Sequence, residues 1–174
     1  MMSRTDPARS WWQDEPGRLA AEQAAMRAAA PGLAWQASEP SGGWQGTVPL
    51  WPFSRPQPPG LLALLGGQPL EVWIICGHAF PMVVPSVRPL SVEVPFQALG
   101  WTRWHVAPDG TLCLLQESAQ WDPSSAAAEL IPKISGWHVE FWLMKGGHIE
   151  AMTECGIAED DSLDGLLAEL GRQA

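Results

Sequence analysis

The apolar positions fall into two kinds of pattern: helical spacing near the start and after residue 123, and short extended runs between. From Arg18 to Ala30 the chain reads RLAAEQAAMRAAA, a run of strong helix formers. Leu19, Glu22 and Met26 recur at spacings of three and four. This predicts a helix with one buried stripe and with Arg18 and Arg27 in solvent. Pro16 suits its first turn, and Pro31-Gly32 ends it. Strands are expected over 33–37 and 46–53, separated by a Ser41-Gly42-Gly43 turn. Residues 55–60 are proline-rich and read as a loop, while 61–65 is apolar and ambiguous. The run 70–76, LEVWIIC, is the strongest strand signal, and its continuous apolarity predicts a central strand buried on both faces. Cys76 at its end reads as core packing. Pro81 and Pro85 then exclude a helix, so 77–87 is an extended crossing, followed by one more strand over 90–94.

A second helix starts at Ser124 or Ser125, with Glu129 in its early turns and with Ala126, Ala127, Leu130, Ile131 and Ile134 as its apolar face. Pro132 predicts a kink or stop. Residues 137–144, WHVEFWLM, are a third helical or mixed segment. An acidic loop over 158–162 precedes a short amphipathic helix over 163–170. Helix, strands, then helices is an α+β order, with helices packed on an antiparallel sheet. Residues 1–14 are expected to be a flexible N-terminus. Residues 15–174 form a single domain whose part beyond about residue 150 is an acidic C-terminal extension.

Composition narrows the partners. A chain of 174 residues, 46% hydrophobic, can build one core. A net charge of −9 argues against nucleic acid or an anionic membrane and favours a partner with a basic surface. No apolar run reaches the roughly 18 residues of a spanning helix, and residues 1–4 lack the apolar centre of a signal peptide. Three cysteines, at 76, 113 and 155, suggest free thiols in a reducing, cytoplasmic compartment. The chain has 11 Trp, no Tyr and no Asn.

The chemistry gathers between Trp104 and Pro123. A polar turn, Ala107-Pro108-Asp109-Gly110, leads into Leu112-Cys113-Leu114-Leu115. His105 lies eight residues before Cys113 and Trp121 eight after it. On residue type alone, Cys113 is either a small buried hydrophobe or a nucleophile at a loop edge. His78, His105, His138, His148 and the cysteines form no zinc spacing. There is no phosphate loop, serine-nucleophile elbow or dinucleotide fingerprint, and no cofactor is expected.

Three segments in this order resemble the ubiquitin-conjugating enzyme family. Phe80-Pro81-x-x-x-Pro85-x-Val87 is similar to its aromatic-proline segment after the third strand, with Val84 where the family has its first paired proline. Gly110-x-Leu112-Cys113-Leu114 is similar to its active-site segment, and Trp121-x-Pro123 opens a helix at the family's spacing. The likeness covers roughly residues 15–145. The family's His-Pro-Asn is reduced to His105-Val106-Ala107, and no Asn is available to stabilise an oxyanion. The His-Val-x-x-Asp-Gly-x-Leu-Cys-Leu run and Trp137-His138-x-Glu140-x-Trp142 are more like the family's prokaryotic branch. Its members are encoded beside a ubiquitin-like protein, a ThiF-type activating enzyme and a JAB-type peptidase, often in antiphage defence operons.

The resemblance implies an N-terminal helix, a four-stranded antiparallel meander and C-terminal helices. It implies that Cys113 takes a ubiquitin-like modifier as a thioester from the activating enzyme and passes it to a target amine. His105 then either braces the active-site loop or stabilises the oxyanion, for which a backbone N–H near Cys113 or Gln116 is the other candidate. Asp122, Glu117 and Asp109 are candidate carboxylates for handling the attacking amine, with Asp122 first because Trp121 and Pro123 flank it. Each is otherwise a solvated loop charge. The first helix would dock the activating enzyme, although Arg18 and Arg27 equally suit a solvated face. Two other readings stand: a catalytically inactive binding module of the same fold (ubiquitin-conjugating-like or RWD-like), and an unrelated thiol hydrolase using a Cys113–His105 dyad.

Overall fold

The computed structural model describes residues 9–115 and 121–173. A short helix α1 (Trp11–Asp14) leads into α2 (Pro16–Ala29). Four strands follow, β1 (Leu33–Ala37), β2 (Gly42–Thr47), β3 (Glu71–Cys76) and β4 (Ser86–Pro89), with helix α3 (Leu61–Leu64) between β2 and β3. They pair antiparallel in the order β1-β2-β3-β4, a meander. Helices α4 (Ile131–Lys145) and α5 (Asp164–Gly171) complete the chain. The fold is therefore mixed, with helices packed against a four-stranded antiparallel sheet, as the element order predicts.

One face of the sheet is buried. Trp44 pairs with Ile74, Ile74 with Val87, and Val72, Ile74 and Cys76 alternate inward along β3. Met26 of α2 and Ile131, Ile134, Trp137 and Phe141 of α4 complete this core. The two-sided burial expected of 70–76 is corrected: Glu71 and Trp73 point outward, and Trp73 is 36% exposed. Helices cover only one face, so the sheet obeys period-two alternation rather than continuous burial. The glycines read as a turn also move. Gly42 and Gly43 lie inside β2, where a Cβ at Gly43 would run into the Ile74 carbonyl, so the glycine permits close strand approach. The expected strand over 90–94 is replaced by β4, four residues earlier.

Helix α4 is the structural axis. Eleven of its fifteen residues are buried, because a second cluster (Leu61, Leu65, Ile157 and Leu167, with Val139 and Leu143) covers its other side. Pro132 does not break it: it occupies the first turn, where no N–H is required, after a 3-10 turn over Ala127–Leu130. The acidic segment beyond residue 150 is docked onto the domain. Arg55 stacks on Trp51 and Phe53 and pairs with Asp164 at 2.7 Å, while also donating to the Ile157 carbonyl. The expected looseness of residues 1–14 is corrected at its end: α1 is folded, with Trp11 5% exposed and packed on Phe80. Among the described residues, no helix is long and apolar enough to cross a membrane.

Candidate functional site

Local turn chemistry builds the segment that carries Cys113. The Gly110 N–H donates to the Ala107 carbonyl at 2.9 Å, closing a turn in which Gly110 takes φ +84°, a conformation that suits glycine. Asp109 Oδ1 accepts from the Thr111 N–H (3.0 Å) and Oγ–H (2.7 Å), locking the turn. The arms zip outward through Ala107 N–H to Thr111 C=O, the Val106–Leu112 bridge, and Cys113 N–H to His105 C=O at 2.8 Å. The Leu112 N–H donates to the Val87 carbonyl at 2.8 Å, hanging this hairpin on the edge of β4. Val106 and Leu112 are buried, so alternation turns Cys113 outward. Its thiol is free and exposed, the opposite of a core cysteine.

Residual burial and the Asp109 charge both raise the Cys113 thiol above its usual range, so it rests protonated at neutral pH. His105 takes φ +49°, the sole left-handed non-glycine residue among those described, and terminates a 3-10 turn over Thr102–Trp104. Partial burial lowers its pKa and leaves it neutral. Among the described residues, no hydrogen bond joins its imidazole to Cys113 Sγ; its carbonyl alone holds the cysteine backbone. A Cys113–His105 dyad is thus not assembled, and the bracing part expected of His105 belongs to its main chain.

Beyond Cys113, Gln116 and Glu117 lie outside the described residues. The chain reappears at Trp121, 9% exposed, whose Nε1–H donates to the Pro81 carbonyl at 2.7 Å. The aromatic-proline segment and the Trp-x-Pro segment are therefore in direct contact. Asp122 is exposed, and its Oδ1 accepts from the Ser124 N–H and Oγ–H, both at 2.8 Å, which lowers its pKa. It does not line the cleft at Cys113 described below. Among the described residues, Asp109 is the carboxylate whose field reaches the thiol.

Two residues of α2 carry this downstream segment. Arg18 was expected in solvent; instead it donates to the carbonyls of Pro123 and Ser125 (both 2.8 Å), lies 5.2 Å over Phe80 and pairs with Glu22 at 2.9 Å. Glu22 is 2% exposed, and its Oε2 accepts from the Ala127 N–H at 2.9 Å. Arg27 is exposed. Glu22 was visible in the sequence as a carboxylate on an apolar stripe, a pattern that calls for a buried partner.

A cleft of about 750 Å³ opens beside Cys113. Its lining includes His105, Cys113 and Leu114, and Lys133, Trp137 and Glu140 of α4. Glu154, Cys155 and Glu159 of the C-terminal segment also line it. Glu140 is 1% exposed; its Oε1 accepts from the Thr153 N–H (2.6 Å) and Oγ–H (2.8 Å), and burial raises its pKa. Its signal was a single carboxylate in the largely apolar run WHVEFWLM, although nothing there tied it to Cys113. Among the described residues, no group of His, Cys, Asp and Glu is arranged to hold a metal ion. Comparisons of the chain with protein-family models, with curated proteins and with solved structures return no match.

Proposed function

We propose that this protein is a ubiquitin-conjugating-like transferase of the ubiquitin-conjugating fold, acting in the bacterial cytoplasm. Cys113 attacks the thioester on a ThiF-type activating enzyme, takes over the carboxyl terminus of a ubiquitin-like modifier, and surrenders it to an amine of a target protein. The setting implied by the resemblance is antiphage defence.

The observation that carries this reading is the meeting of the three motif segments, one of which carries an exposed thiol. The Gly110–Leu114 segment forms a hairpin on β4, and Trp121 closes onto Pro81. An N-terminal helix, a four-stranded meander and a following buried helix supply the frame that the resemblance implies. Thioester exchange also suits the electrostatics. A thiol without an imidazole partner and with a raised pKa resists idle hydrolytic chemistry, and its reaction awaits an activated acyl donor. The same facts weigh against a thiol hydrolase.

The test is to incubate the protein with its activating enzyme, modifier and ATP. A covalent adduct that dissolves in reductant and is missing in Cys113→Ala is expected. Intact binding of both partners with no adduct would overturn transfer and leave a binding module.

A further inference from the structure

Helices cover one face of the sheet and leave the other in solvent. Side chains two apart along a strand share a face, so Glu71 and Trp73 of β3 lie on the open side, with Gln45 of β2 and Arg88 of β4 paired to Trp73 across the strands. Leu90 joins them, because its N–H continues the ladder to the Glu71 carbonyl at 2.8 Å. Trp73 is 36% exposed and Leu90 42%. The chain carries a net charge of −9, yet its four strands hold two charged side chains, Glu71 and Arg88, of opposite sign. Among the described residues, neither is in a salt bridge. The open face is therefore neutral, and a second copy meets there none of the like-charge repulsion that the rest of the surface imposes.

We infer that this open face is the contact surface of a two-fold dimer of the chain. Glu71 is about 7 Å from Trp73 along β3, and Arg88 is about 5 Å from it across to β4. A two-fold axis lying in the interface, midway between Glu71 and Arg88, passes close to Leu90, Trp73 and Gln45. It sets Glu71 of each copy against Arg88 of the other and brings Trp73 onto Trp73. Gln45, both donor and acceptor, meets its own counterpart. The strands of the two sheets then cross near right angles. Four strands offer a face of only about 19 by 17 Å, less than the roughly 800 Å² per partner of a standard interface. The dimer is accordingly weak, with a Kd on the order of 10–100 µM. The inference is independent of the chemistry at Cys113, and its test needs neither modifier nor activating enzyme.

Sedimentation velocity of the full chain, from about 5 to 500 µM, is expected to show a monomer–dimer equilibrium. Glu71→Arg and Arg88→Glu each set like charges together twice, and each should weaken the dimer at least about tenfold. Mixed in equal amounts, the two variants restore both pairs, and their heterodimer should return to within about threefold of the wild-type affinity. Trp73→Ser should remove association altogether. If a charge variant does not fold, Gln45→Glu, which faces like charges across the axis, decides in its place with the same loss. A wild-type chain that stays monomeric at about 500 µM overturns the inference, including where its Trp73 face binds a different protein. A dimer that survives Trp73→Ser, or a mixture of charge variants no tighter than either alone, places the contact elsewhere and likewise overturns it.

Discussion

The chain on the two sides of Cys113 is held by different means. Upstream, residues 105–113 are fixed mainly by main-chain bonds, a closed turn, a two-armed hairpin and one bond to β4, with the Asp109 side chain as a local lock on the turn. Downstream, residues 121–127 are fixed by side chains reaching from far away, Arg18 and Glu22 of α2 and the Trp121 indole on Pro81. A main-chain frame tolerates side-chain replacement because its donors and acceptors belong to every residue. A side-chain frame fails when one member is removed, because the groups it satisfied are left buried and unpaired. Cys113 thus sits at the end of a robust arm, and the segment past it depends on a few residues.

The largest effect should come from the dependent side. Trp121→Ala removes a buried indole and the bond to Pro81, and is expected to lower stability by about 3 kcal/mol. Chemical denaturation measures this, and a change below about 1 kcal/mol would show that the indole does not close this segment. Glu22→Ala leaves the Ala127 N–H without its acceptor and takes one of several partners from Arg18, at about 2–3 kcal/mol by the same measurement. Its loss should also raise amide exchange at Ala127 while leaving Leu112 and Cys113 protected, which separates the two frames directly.

Upstream effects should be smaller. His105→Gly removes a left-handed side chain but keeps the carbonyl that binds Cys113, so stability is expected to stay within about 1 kcal/mol of wild type. Adduct formation should persist; its complete loss would mean that the imidazole itself does chemistry. The pH dependence of Cys113 alkylation sharpens the point. Alkylation follows the thiolate, so its midpoint should lie above that of an ordinary thiol. Asp109→Asn should move it down by removing a negative charge that disfavours thiolate. A midpoint below the ordinary range would contradict the resting state described for the site. The smallest effect is expected for Asp122→Ala, an exposed turn carboxylate; its lysine discharge should match wild type.

Legibility in the sequence follows the same division. The hairpin at Cys113 could be read because Asp109, Gly110 and Thr111 interact within three residues. Helix α2 could be read from Leu19 and Met26, and β3 from its branched and aromatic content. Arg18 could not, since its partners lie 105 and 107 residues away and only tertiary folding brings them near. Gly42 and Gly43 misled because glycine marks both turns and close strand contacts, and only the position of Ile74 distinguishes them. Trp73 misled because apolar residues on an open sheet face resemble core residues in one dimension. The cleft was invisible for a similar reason: its walls come from residues near 105, 137 and 155, joined by bonds such as Met152 N–H to the Arg103 carbonyl.

The most direct test of the central claim is an intact-mass measurement of Cys113→Ser after incubation with activating enzyme, modifier and ATP. A hydroxyl in place of the thiol converts the labile thioester to an oxygen ester. The account predicts one modifier mass added, bound at residue 113, stable to reductant and released by mild base. An adduct at Cys155 or at a lysine in this variant, with the wild-type adduct equally resistant to reductant, would contradict it.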